Sequence, residues 1–252
     1  MAKGAADVVL ADDNFASIEA AVEEGRAVFA NLTKFIIWTL PTNVGQGLVI
    51  LVAVLLGETL PILPVQVLWI NMTTALLLGL MLAFESAEPG IMARPPRDPN
   101  VPILTGELVF RIVSVGAILL AGGFGLFEWE LRQGRGVDEA RTAAVTVFIV
   151  VQVFYLFNCR SLTQSVFRIG LVSNPWAIAG SAGMLLLQVG FVYVPVMNAL
   201  FHTAPMPLVS WAWVAAVGLA AFAAVGLEKR LRHGGSGGAD RANGCAASPA
   251  EG

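Results

Sequence analysis

Six stretches of this chain run for about 20 residues each almost without Asp, Glu, Lys or Arg, the length a helix needs to cross a hydrocarbon core of about 30 Å. They extend approximately from Phe35 to Leu56, Val65 to Phe84, Leu108 to Phe127, Ala143 to Phe157, Pro175 to Val194 and Leu208 to Leu227. The fourth is short, but it lengthens through Cys159 without meeting a charge. Lipid offers a backbone no water to bond with, so only helices and closed barrels span it. The apolar residues are continuous rather than alternating, which selects helices. The expected fold class is an all-α membrane protein with six transmembrane helices. Composition agrees, since 56% of the 252 residues are hydrophobic and only 13% are charged.

An even number of spans puts both termini on one side. With the termini inside, twelve of the fifteen Lys and Arg residues lie on the cytosolic side, leaving Arg132, Arg135 and Arg141 outside. The chain is therefore expected in the cell membrane, multi-pass, with both termini cytoplasmic. The net charge of -3 says nothing about partners. The bilayer is the partner read directly, and no nucleic acid is expected. Cys159 and Cys245 have no evident mates, so no disulfide is expected. The opening residues lack the apolar core of a signal peptide.

Residues 1–34 read as soluble. Val8 to Leu10 is a short β-prone piece with no strand in this chain to pair with. Asp13 or Asn14 is placed to cap a helix beginning at Phe15, in which Ile18, Ala21 and Val22 recur at helical spacing among Glu19, Glu23 and Glu24. Pro89, Pro95, Pro96, Pro99 and Pro102 fall within fourteen residues, which predicts an extended cytosolic connector. A charged outer loop is expected from Glu128, with Asn198 and His202 in a second one. Residues 228–252 open with a basic EKRLRH and then turn to Gly, Ser and Ala, predicting a disordered tail at the anionic inner leaflet. His202 and His233 read as surface residues. Trp69, Trp129, Trp176 and Trp211 are expected as interfacial anchors. Gly45, Gly47, Gly79, Gly122, Gly123 and Gly125 are expected to allow close helix packing.

The stretch TLPTNVGQG, residues 39–47, breaks the apolar pattern. Pro41 has no amide hydrogen, so the Ile37 carbonyl loses its partner and the helix tends to kink. Asn43 and Gln46, three apart, share one helix face. Asn71 and Thr74 repeat that spacing in the second span, with Thr73 beside them, and the fourth span supplies Gln152 and Asn158. Together they offer a ring of neutral oxygens near mid-membrane, the ligand type that hard cations prefer. Hydrogen bonding between helices accounts for the same residues at about 0.6 to 2 kcal/mol each.

Four blocks occur in a fixed order: AADVVLADDNFASIEAAVEEGRAVFANLTKFI, TNVGQG, PVQVLWINMTT and EPGIMARPPR. They resemble the C-terminal part of a P-type cation-transporting ATPase of the calcium-pump-like branch, over the whole chain to about Leu227. The resemblance implies that residues 1–34 are a remnant of the phosphorylation domain with its stalk helix, and that 35–227 are six membrane helices following the catalytic head. It also implies that Asn43 and Gln46 are ion ligands of the family's fifth membrane helix, Asn71 and Thr74 of its sixth, and Gln152 of its eighth. Gln46 stands where the family usually has a glutamate, Ala75 where calcium pumps have an aspartate, and Gln152 where some have a glutamate. No carboxylate is then left in these spans, which disfavours holding a divalent ion. The sixth helix also lacks the Gly and Pro that loosen it in calcium pumps.

The sequence contains no DKTGT phosphorylation motif, no nucleotide-binding domain and no GDGxND magnesium motif. Phosphoryl transfer needs an aspartyl nucleophile and a magnesium site. No cofactor is expected for this chain itself, whereas ATP and Mg2+ are implied for an intact family member. Met1 falls at an internal position of the family, which suggests a truncated gene or a late start. The expected function is the membrane domain of a cation pump, with a transported cation and a catalytic head domain or partner subunit as its partners. A stand-alone scaffold or binding subunit is the alternative, and a passive channel the third reading.

Overall fold

The computed structural model describes residues 14–87, 90–93, 95–96, 105–160 and 174–244, with no side-chain detail for Glu107 or from residue 229 onward. Val8 to Leu10 and Cys245 lie outside the described residues. Helix α1 is Phe15–Leu56. The Asn14 side chain caps it, accepting from the Ala16 amide at 3.0 Å. Gly57 ends it in the left-handed region at φ 70°, a conformation open to glycine at little cost. At about 1.5 Å per residue this helix is about 63 Å long, twice the hydrocarbon thickness, so the segment that reads as soluble and the first apolar span form one continuous helix.

Helix α2 is Pro64–Ala83, started by a proline at a position that needs no amide. Its segment Ala75–Gly79 widens into a π-helix. Helix α3 is Gly106–Arg132, capped by the Thr105 hydroxyl, and α4 is Val137–Cys159. Helix α5, Pro175–Tyr193, is capped by Asn174, and α6 is the short Pro195–Phe201. Helix α7 is Leu208–Gly244. Six of these are long and apolar enough to cross a membrane, and no strand occurs among the described residues.

Three boundaries depart from expectation. Helix α3 continues through Glu128 to Arg132 and α4 starts at Val137, so the outer loop predicted from Glu128 shrinks to a tight turn at Gln133–Gly136. Asp138 and Glu139 in the first turn of α4 favour that early start by complementing the helix dipole. Asn198 sits in α6 rather than in a loop, donating to the Phe191 and Val192 carbonyls and to the Thr203 hydroxyl. Helix α7 runs past Leu227 to Gly244; Glu228 to Arg232 are good helix formers, but the glycines at 234, 235, 237 and 238 give no local reason for it to continue.

Helix α4 forms the centre. In its apolar window 89% of the residues are buried, against 28–39% in the other five spans. It packs against α1, α3, α5 and α7. Close approach depends on small residues: a Cβ on Gly45 of α1 would meet Leu119 of α3 at 2.5 Å, and one on Gly180 of α5 would meet the Leu77 carbonyl at 2.1 Å. Gly79, Gly122 and Gly123 are packed in the same way, but Gly47 and Gly125 face open space and serve no such contact.

Ionic clusters close both ends. At the end where α1 begins, the base, the Arg160 guanidinium grips Glu85 through Nε and Nη2, the latter at 2.9 Å. Asn174 adds a 2.8 Å bond to the same carboxylate, and Asn31 donates to the Glu85 carbonyl at 2.7 Å. The turn Ile91–Ala93, a 3-10 helix, is held there too, because Arg26 donates to the Ile91 carbonyl at 2.9 Å. At the opposite end, the crown, Glu130 is buried and bonds to Arg135 and to Ser210 of α7.

Candidate functional site

The proline break organises the α1–α4 interface. The Ile37 carbonyl, freed by Pro41, accepts a 2.9 Å hydrogen bond from the Tyr155 hydroxyl of α4. One residue on, the buried Trp38 indole donates to the Gln152 carbonyl at 3.1 Å. The freed oxygen is thus held by a helix neighbour. Thr42 folds its hydroxyl back onto the Trp38 and Thr39 carbonyls.

Two of the expected ligands meet across helices: the Gln46 amide nitrogen of α1 donates to Asn71 Oδ1 of α2 at 3.3 Å. Gln46 is buried and Asn71 exposed. Thr74 is buried, but its hydroxyl donates to the Ile70 carbonyl of its own helix at 2.7 Å, and Thr73 does the same to Trp69. Both bonds leave oxygen lone pairs unused. Directly after Thr74 comes the π-segment, so the helix is loosened here by a wider turn instead of by Gly and Pro. Asn43 is exposed on α1, and its side chain makes no hydrogen bond among the described residues. Gln152 is buried on α4, level with Trp38. Asn158 points elsewhere, donating to the Phe222 carbonyl of α7.

Three buried polar atoms have no hydrogen-bond partner among the described residues: Thr39 Oγ1, Gln46 Oε1 and Gln152 Nε2. All three lie on the α1 and α4 residues around Pro41. Buried polar groups are nearly always paired, so these three atoms hold unused hydrogen-bonding capacity. No group of three His, Cys, Asp or Glu that could hold a metal ion occurs among the described residues.

Some of this escaped the sequence. Trp69 is no interfacial anchor: it stacks on Phe191 at 5.1 Å, tilts against Phe201 and donates to Gln188 Oε1. Gln188, wholly buried on α5, also donates to Thr146 Oγ1 of α4 at 2.9 Å. Tyr155 was findable in principle, as one of two tyrosines and a lone hydroxyl inside an apolar run.

The family described as "Cation transporting ATPase, C-terminus" matches residues 59–231. The chain belongs to this family. It is 59% identical over 220 residues to the probable cation-transporting ATPase F of Mycobacterium tuberculosis, covering 87% of this chain and 24% of that protein. It is 43% identical over 220 residues to cation-transporting ATPase pma1 of Synechocystis, covering 84% and 24%. With the calcium-transporting ATPase of Bacillus subtilis it shares 34% over 222 residues, covering 88% and 25%. The chain therefore spans about a quarter of the length of the curated relatives it matches. As the C-terminal membrane region of a P-type cation-transporting ATPase, it is a multi-pass membrane domain, and the Gln46–Asn71 pair lies between its first two spans.

Proposed function

We propose that this chain supplies part of the ion-binding site of a cation-pumping ATPase, with Asn43, Gln46, Asn71, Thr74 and Gln152 as ligands and ATP hydrolysis carried out by a catalytic head. The observation that carries this reading is the cross-helix amide pair: Gln46 bonded to Asn71 beside a π-turn, with the Gln46 carbonyl oxygen buried and unpartnered. A cation entering there finds amide and hydroxyl oxygens on two helices, one of them locally widened and able to shift. Asn43 and Asn71 are exposed on a face that otherwise presents Leu51, Val54, Leu68 and Met72. Bare amides facing lipid are costly, so further membrane helices bearing polar groups cover that face. The base of the bundle, where basic residues gather, is cytosolic; reporter fusions at the two termini that give an external signal reverse this assignment.

The test is made in an intact pump carrying these helices. Asn43→Ala or Asn71→Ala lowers ion-stimulated ATPase activity at limiting ion by about tenfold or more, whereas Gln133→Ala, exposed at the end of α3, leaves it unchanged. Equal effects from all three remove the ion-site reading. The second reading, a membrane scaffold or binding subunit, is favoured by the many polar groups already engaged between or along helices, such as Thr74, Asn158 and Gln188. Ion uptake by liposomes holding the pump, abolished in Asn71→Ala, excludes it.

A further inference from the structure

We infer that Tyr155 is a positioning residue for ion binding, standing in for the backbone hydrogen bond that Pro41 deletes and thereby setting where the part of α1 beyond Pro41 lies against α4; this rests on the ion-site reading above. A proline inside a helix leaves the carbonyl one turn earlier without its amide donor, and a buried unpaired carbonyl is costly. Here that carbonyl, Ile37, is met by a side chain from another helix at 2.9 Å. The bond therefore joins two helices where an ordinary one would only continue α1. Trp38 adds a second joint, its indole donating to the Gln152 carbonyl at 3.1 Å. Both anchoring side chains are almost fully buried, Trp38 at 2% exposure and Tyr155 at 1%, so neither joint is weakened by competing water.

The joints run in opposite directions. One helix donates through Trp38 and the other through Tyr155, so sliding α1 along α4 stretches both bonds. Asn43 and Gln46 follow Pro41 on the same helix, within about a turn and a half. Their distance from α2 therefore depends on how α1 is held against α4 at Pro41. Proline and tyrosine thus act as one device: the first opens the backbone, and the second decides where the opened end is held. Restoring an amide hydrogen at position 41 makes the tyrosine hydroxyl redundant, because Ile37 then bonds within its own helix.

That redundancy gives the test. Thermal unfolding of the purified chain in detergent is compared for Tyr155→Phe, Pro41→Ala and the double variant, with Trp38→Phe as control. Tyr155→Phe lowers the midpoint when Pro41 is present and has no effect when it is combined with Pro41→Ala, while Trp38→Phe costs the same in both backgrounds. Pro41→Ser, which also restores the amide hydrogen, replaces Pro41→Ala should that variant fail to fold. In an intact pump carrying these helices, Tyr155→Phe shifts the ion concentration for half-maximal activity by about three- to tenfold while maximal turnover is retained, and Pro41→Ala in the same chain reverses the shift. Equal cost of Tyr155→Phe in both unfolding backgrounds overturns the proposal, and so does a fall in turnover without a shift in half-maximal concentration. The two readings fail separately: activity indifferent to Asn43→Ala and Asn71→Ala removes the ion site, whereas the unfolding cycle judges the Tyr155–Pro41 pairing alone.

Discussion

Gln46 shows how much one atom decides at this interface. Its amide nitrogen points at Asn71 Oδ1, 3.3 Å away, while its carbonyl oxygen is buried without a partner. Exchange for a glutamate removes the donor and sets two acceptors against each other, a repulsion that a bound cation relieves. Gln46→Glu in an intact pump is therefore expected to raise the preference for divalent over monovalent ions, read as the ratio of half-maximal concentrations for Ca2+ and K+. An unchanged ratio places Gln46 outside the ligand set. The polar character of this residue is plain from sequence, because an amide inside an apolar run stands out. Its engagement is not, since direction depends on the angle between two helices. The same holds for Thr74, whose hydroxyl the sequence aims at an ion and the helix turns onto Ile70.

Among the helices, α2 and α5 meet most tightly at the π-segment, where Gly180 approaches the Leu77 carbonyl. Gly180→Ala would force backbone apart and is expected to cost about 1 to 3 kcal/mol or more, seen as a lower unfolding midpoint in detergent. Gly125→Ala, facing open space, is expected to be neutral or slightly stabilising in the same assay. Sequence identifies such glycines only as a class, because nothing local distinguishes a glycine under a neighbour from one beneath lipid. The existence of the six spans is fully legible from hydrophobic length, and the end of α1 at Leu56 and the start of α5 at Pro175 fall where the apolar runs stop. The π-turn is not legible, since Ala75–Gly79 carries no sequence mark of a wider helix. Apolar length understates the third and fourth spans, because a charge ends the run while the helix continues: Glu130 is buried by pairing with Arg135 and Ser210.

For the whole bundle, the base cluster joins four separate segments through Glu85: α1 by Asn31, the end of α2 by Glu85 itself, α4 by Arg160 and α5 by Asn174. Removing one member of a buried ion pair strands the other, at about 3 to 5 kcal/mol. Glu85→Ala is expected to cost that much and Glu85→Gln less, since the amide still accepts from Arg160 and Asn174. Thermal unfolding at low and high salt checks this, and a marked gain in the Glu85→Ala variant relative to the unaltered chain would show the cluster to be dispensable. The burial of α4 bears on the surroundings as well. A segment with almost no surface towards hydrocarbon is insulated from changes in acyl-chain length and saturation, which press instead on the outward faces of the other five spans. Different host membranes would then tilt the periphery while the axis keeps its place, giving the moving parts a fixed datum.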